Sequence, residues 1–164
     1  MELNKDVRNI IETWINRYRT KCIRDEYRMI WHFFNDMFID ICPNPHGRCV
    51  MKYPNVTIHW FNGQKHRINN PAVKYANGTK YWYYEGRLHR PASEGPAIEW
   101  GNGDKEWYYK GKLHRQSSEG PAIEGANGYK AWYYHNQRHR PLGEGPAVEY
   151  TNGDKEYWEF GKRI

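Results

Sequence analysis

The residues most capable of chemistry are four His-Arg pairs. They fall at His66-Arg67, His89-Arg90, His114-Arg115 and His139-Arg140; the last three are 25 residues apart and the first sits two residues closer. A row of guanidiniums could meet phosphates of lipid headgroups or nucleic acid, because each forms paired, charge-assisted hydrogen bonds with phosphate oxygens. The same units also carry carboxylates, at Glu94, Glu119 and Glu144 and at Glu99, Glu124 and Glu149. Arg–Glu pairing within or between units would stitch the connections and cancel most of the field. The histidines are poor ligands as a set, since zinc needs donors ~2.1 Å from one centre and residues a full repeat apart do not share one. Cys42, His46 and Cys49 have spacing more like a metal site, in a Pro/Gly loop with Cys22 or His32 as a fourth donor. That spacing matches no common zinc finger closely. Free thiols are the leading reading there, and no cofactor is expected. Neither a nucleophile elbow, a phosphate-cradling glycine loop nor His-Glu-X-X-His is present. Catalysis needs one asymmetric constellation and a repeat supplies several equal ones, so the chain reads as a non-enzyme.

The elements that hold these residues repeat with them. Asn-Gly recurs at Asn77, Asn102, Asn127 and Asn152, and Gly-Pro-Ala at Gly95, Gly120 and Gly145, each at steps of 25 residues. Asn70-Pro71-Ala72 is a worn earlier copy. Between residue 53 and the C-terminus there are about four and a half units. In each, an alternating segment such as Pro96 to Trp100 leads into Asn-Gly, a strong hairpin signal because both residues tolerate positive φ. An aromatic strand, Lys105 to Lys110, follows, and Gly111 opens a longer connection to the next Gly-Pro-Ala. The expectation is an antiparallel meander of two strands per unit, with equivalent residues ~9.6 Å apart.

Such a meander lines its side chains up in columns. Trp82, Trp107, Trp132 and Tyr157 form one, and Tyr83, Tyr108, Tyr133 and Trp158 the next. Neighbours along a strand face opposite ways, so both faces carry aromatics. Interleaved with basic residues, these rings could stack bases, yet packing one repeat on the next is the favoured use, with leftover ring faces forming a groove for a peptide or partner helix. The candidate binding surface is therefore Trp82, Tyr83, His89, Arg90, Trp107, Tyr108, His114, Arg115, Trp132, Tyr133, His139 and Arg140. The C-terminal strand edge at Trp158, Phe160 and Lys162 is a candidate dimer seam.

A Trp/Tyr pair, then Gly-Lys-X-His, Gly and Asn-Gly, resembles the MORN repeat over residues 53 to 164. The resemblance implies β-hairpin units stacked into one long, twisted antiparallel sheet, and it links the chain to membrane association and dimerisation. The chain departs from that pattern in having Arg90, Arg115 and Arg140 where the usual unit has Gly, and in an insertion before Gly-Pro-Ala. The wording with His-Arg and Gly-Pro-Ala is similar to repeat proteins of large DNA viruses.

Ahead of the repeats, Val7, Ile10, Ile11, Trp14, Ile15 and Tyr18 have helical spacing, as do Tyr27, Ile30, Trp31, Phe34, Met37, Phe38 and Ile41. They predict a helical hairpin over residues 4–18 and 24–41, ended by Pro43 and Pro45. The division expected is a helical hairpin and linker at 1–50, then a single-layer repeat sheet at 51–164: mainly β, α+β overall. The hairpin reads first as a cap on the sheet. Leu3 to Val7 with Ile10 and Ile11 also resembles the opening of an F-box, which would make it a ubiquitin-ligase adaptor segment.

Composition bounds the partners. The 14 Tyr and 8 Trp replace scarce aliphatics and argue against disorder. The formal charge of +6 is modest and contains no like-charge block, which disfavours nucleic acid. The polar opening Met1 to Asp6 has no signal-peptide character, and no apolar run reaches the ~20 residues of a membrane span. Three cysteines point to a reducing compartment, the cytoplasm, with host cytoplasm and viral factory or virion as the places expected. The function expected is a scaffold for protein–protein contact or self-assembly as a homodimer; the alternatives are binding to anionic lipid headgroups and ubiquitin-ligase adaptation.

Overall fold

A computed structural model describes residues 28–30 and 46–164 of the chain. They are mainly β. One twelve-stranded sheet runs through them in sequence order: Arg28–Ile30, Arg48–Lys52, Val56–Phe61, Val73–Tyr75, Lys80–Tyr81, Ile98–Glu99, Lys105–Glu106, Ile123–Glu124, Lys130–Ala131, Val148–Glu149 and Lys155–Glu156, with Gln64–Lys65 as a side branch on Val56–Phe61. All its pairings are antiparallel except Arg28–Ile30, which runs parallel to Arg48–Lys52. The helical hairpin expected at 4–18 and 24–41 lies outside the described residues, apart from those three. Arg28–Ile30 lies along the edge of Arg48–Lys52 as a three-residue strand. Arg48–Lys52 also crosses the boundary placed between 50 and 51. No helix among the described residues is long and apolar enough to cross a membrane.

Each repeat holds four short strands rather than the two expected. In the unit from Pro96 to Gly120, Ile98–Glu99 and Lys105–Glu106 join the main sheet, while Tyr108–Tyr109 and Lys112–Leu113 form a second hairpin outside it. The same outer hairpin recurs at Tyr83–Tyr84 with Arg87–Leu88, at Tyr133–Tyr134 with Gln137–Arg138 and at Trp158–Glu159 with Lys162–Arg163. Gly111 does not open a loose connection. It sits at φ +82 behind Lys110 at φ +50, and two successive left-handed residues make a tight hairpin turn whose twist matches the flanking strands. The chain then passes through a short 3-10 turn, Ser117–Glu119, to the next Gly-Pro-Ala.

The Asn-Gly turn exists but is built differently from the expectation that both residues take positive φ. Only Gly103 does, at +96. Its N–H donates to the Trp100 carbonyl at 2.9 Å, and the Trp100 N–H donates to Asp104 O at 2.9 Å. That is a three-residue loop closed by a glycine bulge. The Asn102 side chain serves through its Oδ1, which accepts from the Asp104 N–H.

Units are joined by backbone bonds between neighbours. Trp107 N–H donates to Ala122 O in the sheet, and Gly111 N–H donates to Leu88 O in the outer row. Ala72, Ala97, Ala122 and Ala147 are wholly buried, flanked by Val73, Ile98 and Val148. Before the first full unit, Cys49, Met51, Val56, Ile58, Trp60 and Val73 form one apolar cluster.

Candidate interaction surface

The three arginines of the regular His-Arg pairs are locked into the fold. The guanidinium carbon of Arg90 lies 4.2 Å from the Trp82 ring centre; Arg115 over Trp107 and Arg140 over Trp132 are each at 4.0 Å. One Nη1 of each arginine donates to the carbonyl of Pro96, Pro121 or Pro146 at 3.1 Å. The same Nη1 faces Glu99 at 3.3 Å, Glu124 at 2.9 Å or Glu149 at 3.7 Å. Of the two glutamate columns the sequence offers, it is the second that pairs with the arginines. The glycine of Gly-Pro-Ala makes room for this: Gly120 has φ +126, and a Cβ there would come within 2.9 Å of Arg115 Nη1. The motif His-Arg…Glu-Gly-Pro-Ala-Ile-Glu thus encodes a stacked guanidinium, its glycine cradle and its counterion. Trp82, Trp107 and Trp132 are buried beneath it. The Arg–Trp stack spans eight residues and a turn, so no sequence periodicity announces it.

The worn first copy departs in an informative way. Its two-residue shorter spacing places His59 where later units have the tryptophan, and Trp60 in the column of Tyr83, Tyr108, Tyr133 and Trp158. Arg67 has no indole to cover; its Nη1 instead lies 3.0 Å from His59 Nε2. Burial first, then Arg67 and Lys52, hold the His59 imidazole down to about 4. Neutral His59 is therefore the acceptor for Arg67.

The histidines of the pairs belong to a different feature, a continuous ladder of rings over the outer hairpins. Phe61, His66, Tyr84, His89, Tyr109, His114, Tyr134, His139 and Phe160 follow one another with centroid separations between 4.0 and 6.2 Å. Its non-histidine members are exposed, from 39% at Phe61 to 52% at Phe160. Three histidines also tie units together: Nδ1 of His66, His89 and His139 accepts the N–H of Glu85, Lys110 and Phe160 in the next unit's turn. His89 is lowered by burial and then by Lys110, and His114 by burial and then by His135, which stacks on it at 4.3 Å. The histidine column is thus part of an aromatic stripe.

The other sheet face carries Tyr83, Tyr108 and Tyr133, all half-buried, continued by Trp158. At the seam proposed from sequence, Trp158 donates its Nε1–H to Glu156 at 2.8 Å and lies under Arg138 at 5.0 Å. Phe160 faces away from it, stacked on His139 at 4.0 Å, and Lys162 is exposed. Of the thiol cluster, Cys49 is buried in the first apolar cluster, His46 is exposed, and Cys42 lies outside the described residues. Among the described residues no three metal-ligating side chains come together.

Comparison with models of known protein families and with curated proteins finds no match to this chain.

Proposed function

We propose that this chain is a non-enzymatic repeat scaffold whose units are MORN-like and whose work is protein–protein contact, with self-association as a homodimer one form of it. The nine-ring ladder carries the reading. It is long, regular and partly exposed, and a contiguous aromatic stripe on a soluble surface is the feature that marks docking sites. The geometry of the arginines favours a protein over an anionic membrane as the partner. A guanidinium already stacked on indole and paired with a carboxylate has little left to offer a phosphate.

The test uses the full chain beside a triple variant, Tyr84→Ser, Tyr109→Ser and Tyr134→Ser. These hydroxyl-bearing replacements shorten exposed side chains, so far-ultraviolet circular dichroism should be unchanged. Light scattering and affinity capture are then read for both. The expected result is a dimer or a defined partner with the parent chain and its loss with the variant. Salt-sensitive flotation on phosphatidylserine vesicles, abolished by Arg90→Glu with Arg115→Glu, would replace this reading with lipid binding.

A further inference from the structure

The repeat provides an internal control on the tyrosine face. Positions 81, 106, 131 and 156 are equivalent and hold Tyr81, Glu106, Ala131 and Glu156. The two carboxylates occupy the same place in the sheet, with Glu106 beside Ile98 and Glu156 beside Val148. Each accepts an indole hydrogen bond at 2.8 Å, Glu106 from Trp100 and Glu156 from Trp158. Glu106 also accepts from the Tyr108 hydroxyl at 3.0 Å.

The cations around them differ. Glu156 lies between two guanidiniums, Arg138 at 3.7 Å and Arg163 at 3.6 Å. Arg138 covers the Trp158 ring and donates its Nε–H to the Tyr133 hydroxyl at 3.2 Å. At the positions equivalent to these arginines, the unit around Glu106 has Leu88 and Leu113. Among the described residues Glu106 forms no ion pair. Its charge instead bears on tyrosines: Tyr108, raised first by burial and then by Glu106, and Tyr81, where Glu106 adds to burial and two neighbouring tyrosines. The next unit leaves the approach open. Ala131 and Gly125 stand where the last unit has Glu156 and Tyr150, and Ile123 is partly exposed where Ile98 and Val148 are buried.

We propose that Glu106 is the receptor for an arginine side chain of a protein partner, held as the chain holds its own Arg138 at Glu156. The carboxylate would take the guanidinium, the Tyr108 ring would lie beneath it, and Leu88 would cover the aliphatic stem. Arginine suits the site better than lysine, because a planar fork can stack and pair at once. This inference rests on the scaffold reading and names the chemistry of the partner.

The experiment follows the Trp100 and Trp158 indole N–H resonances of the full chain while N-acetyl-arginine methylamide is added, with the uncharged citrulline analogue as control. The Trp100 signal should move with arginine and not with citrulline. Glu106→Gln should weaken that response by at least ~10-fold. Leu88→Arg, which supplies the cation from within, should abolish it. Arg138→Leu with Arg163→Leu, which leaves Glu156 as bare of cations as Glu106, should make the Trp158 signal responsive as well. Equal shifts from citrulline, or an unchanged titration in Glu106→Gln, would overturn the site. A partner captured equally by the parent chain and Glu106→Gln would also remove the arginine site while leaving the scaffold reading standing.

Discussion

Arg48–Lys52 and Val56–Phe61 pair over five residues and supply five of the six side chains of one apolar cluster, whereas the repeat strands that follow pair two residues at a time. The first region is held by a conventional core, in which burial of aliphatic and aromatic area does most of the stabilising. The repeats have no room for one. Each substitutes a fixed kit: one buried alanine, one Val or Ile, a guanidinium on an indole, and two tight turns tied to the neighbouring unit. The contrast teaches that a sheet can be extended indefinitely with little aliphatic side chain, provided every unit finds its partner next door.

The largest test of that contrast is Ile58→Ala. Ile58 is 1% exposed at the centre of the cluster, and its truncation should cost about 3 kcal/mol, read as a lower urea midpoint. Next comes Arg115→Met, which keeps the stem and removes the stack on Trp107 and the bonds to Pro121 and Glu124. A loss of about 2 kcal/mol is expected, from the stacking and the charge-assisted bonds together. Hydrogen exchange should show it confined to the units flanking Arg115, with residues 48–61 unchanged. Equal loss of protection throughout would mean that the repeats are not a nearest-neighbour array.

Acid should act on both regions with the same sign. The folded state holds His59 down to about 4, against an ordinary value of 6.5, so it binds fewer protons than the unfolded chain between those limits. The stabilisation is whole above pH 6.5 and is lost as pH falls toward 4; His89 and His114, also lowered, add in the same direction. The thermal midpoint should fall across this window, and His59→Gln should flatten part of the fall. The smallest effect expected is a gain. Lys110 is forced to φ +50, which asparagine tolerates better, so Lys110→Asn should stabilise by about 0.5 kcal/mol in the same urea melt.

Much of the molecule was legible in the sequence because period and column are the same fact. The 25-residue step gave the antiparallel sheet, the Asn-Gly hairpins and the opposed Trp and Tyr columns, and the repeated Arg and Glu gave their pairing. The outer hairpin was hidden because its turn is written Glu85-Gly86, Lys110-Gly111, His135-Asn136 and Phe160-Gly161. Only the backbone shape is common to these four, and a glycine alone does not separate a tight turn from a loose connection. The ring ladder was hidden too, since the sequence does not show that Tyr84, Tyr109 and Tyr134 alternate in space with the histidine column. His59 escaped the tryptophan column because the first copy is two residues short.

The outer turns and the sheet advance together by two strands per unit, ~9.6 Å at ordinary strand spacing. Cutting out 25 residues anywhere among the regular units would bring together neighbours of the kind already in contact. Length in this molecule is therefore quantised, and the chain is a ruler that can be lengthened or shortened by whole divisions without redrawing its scale.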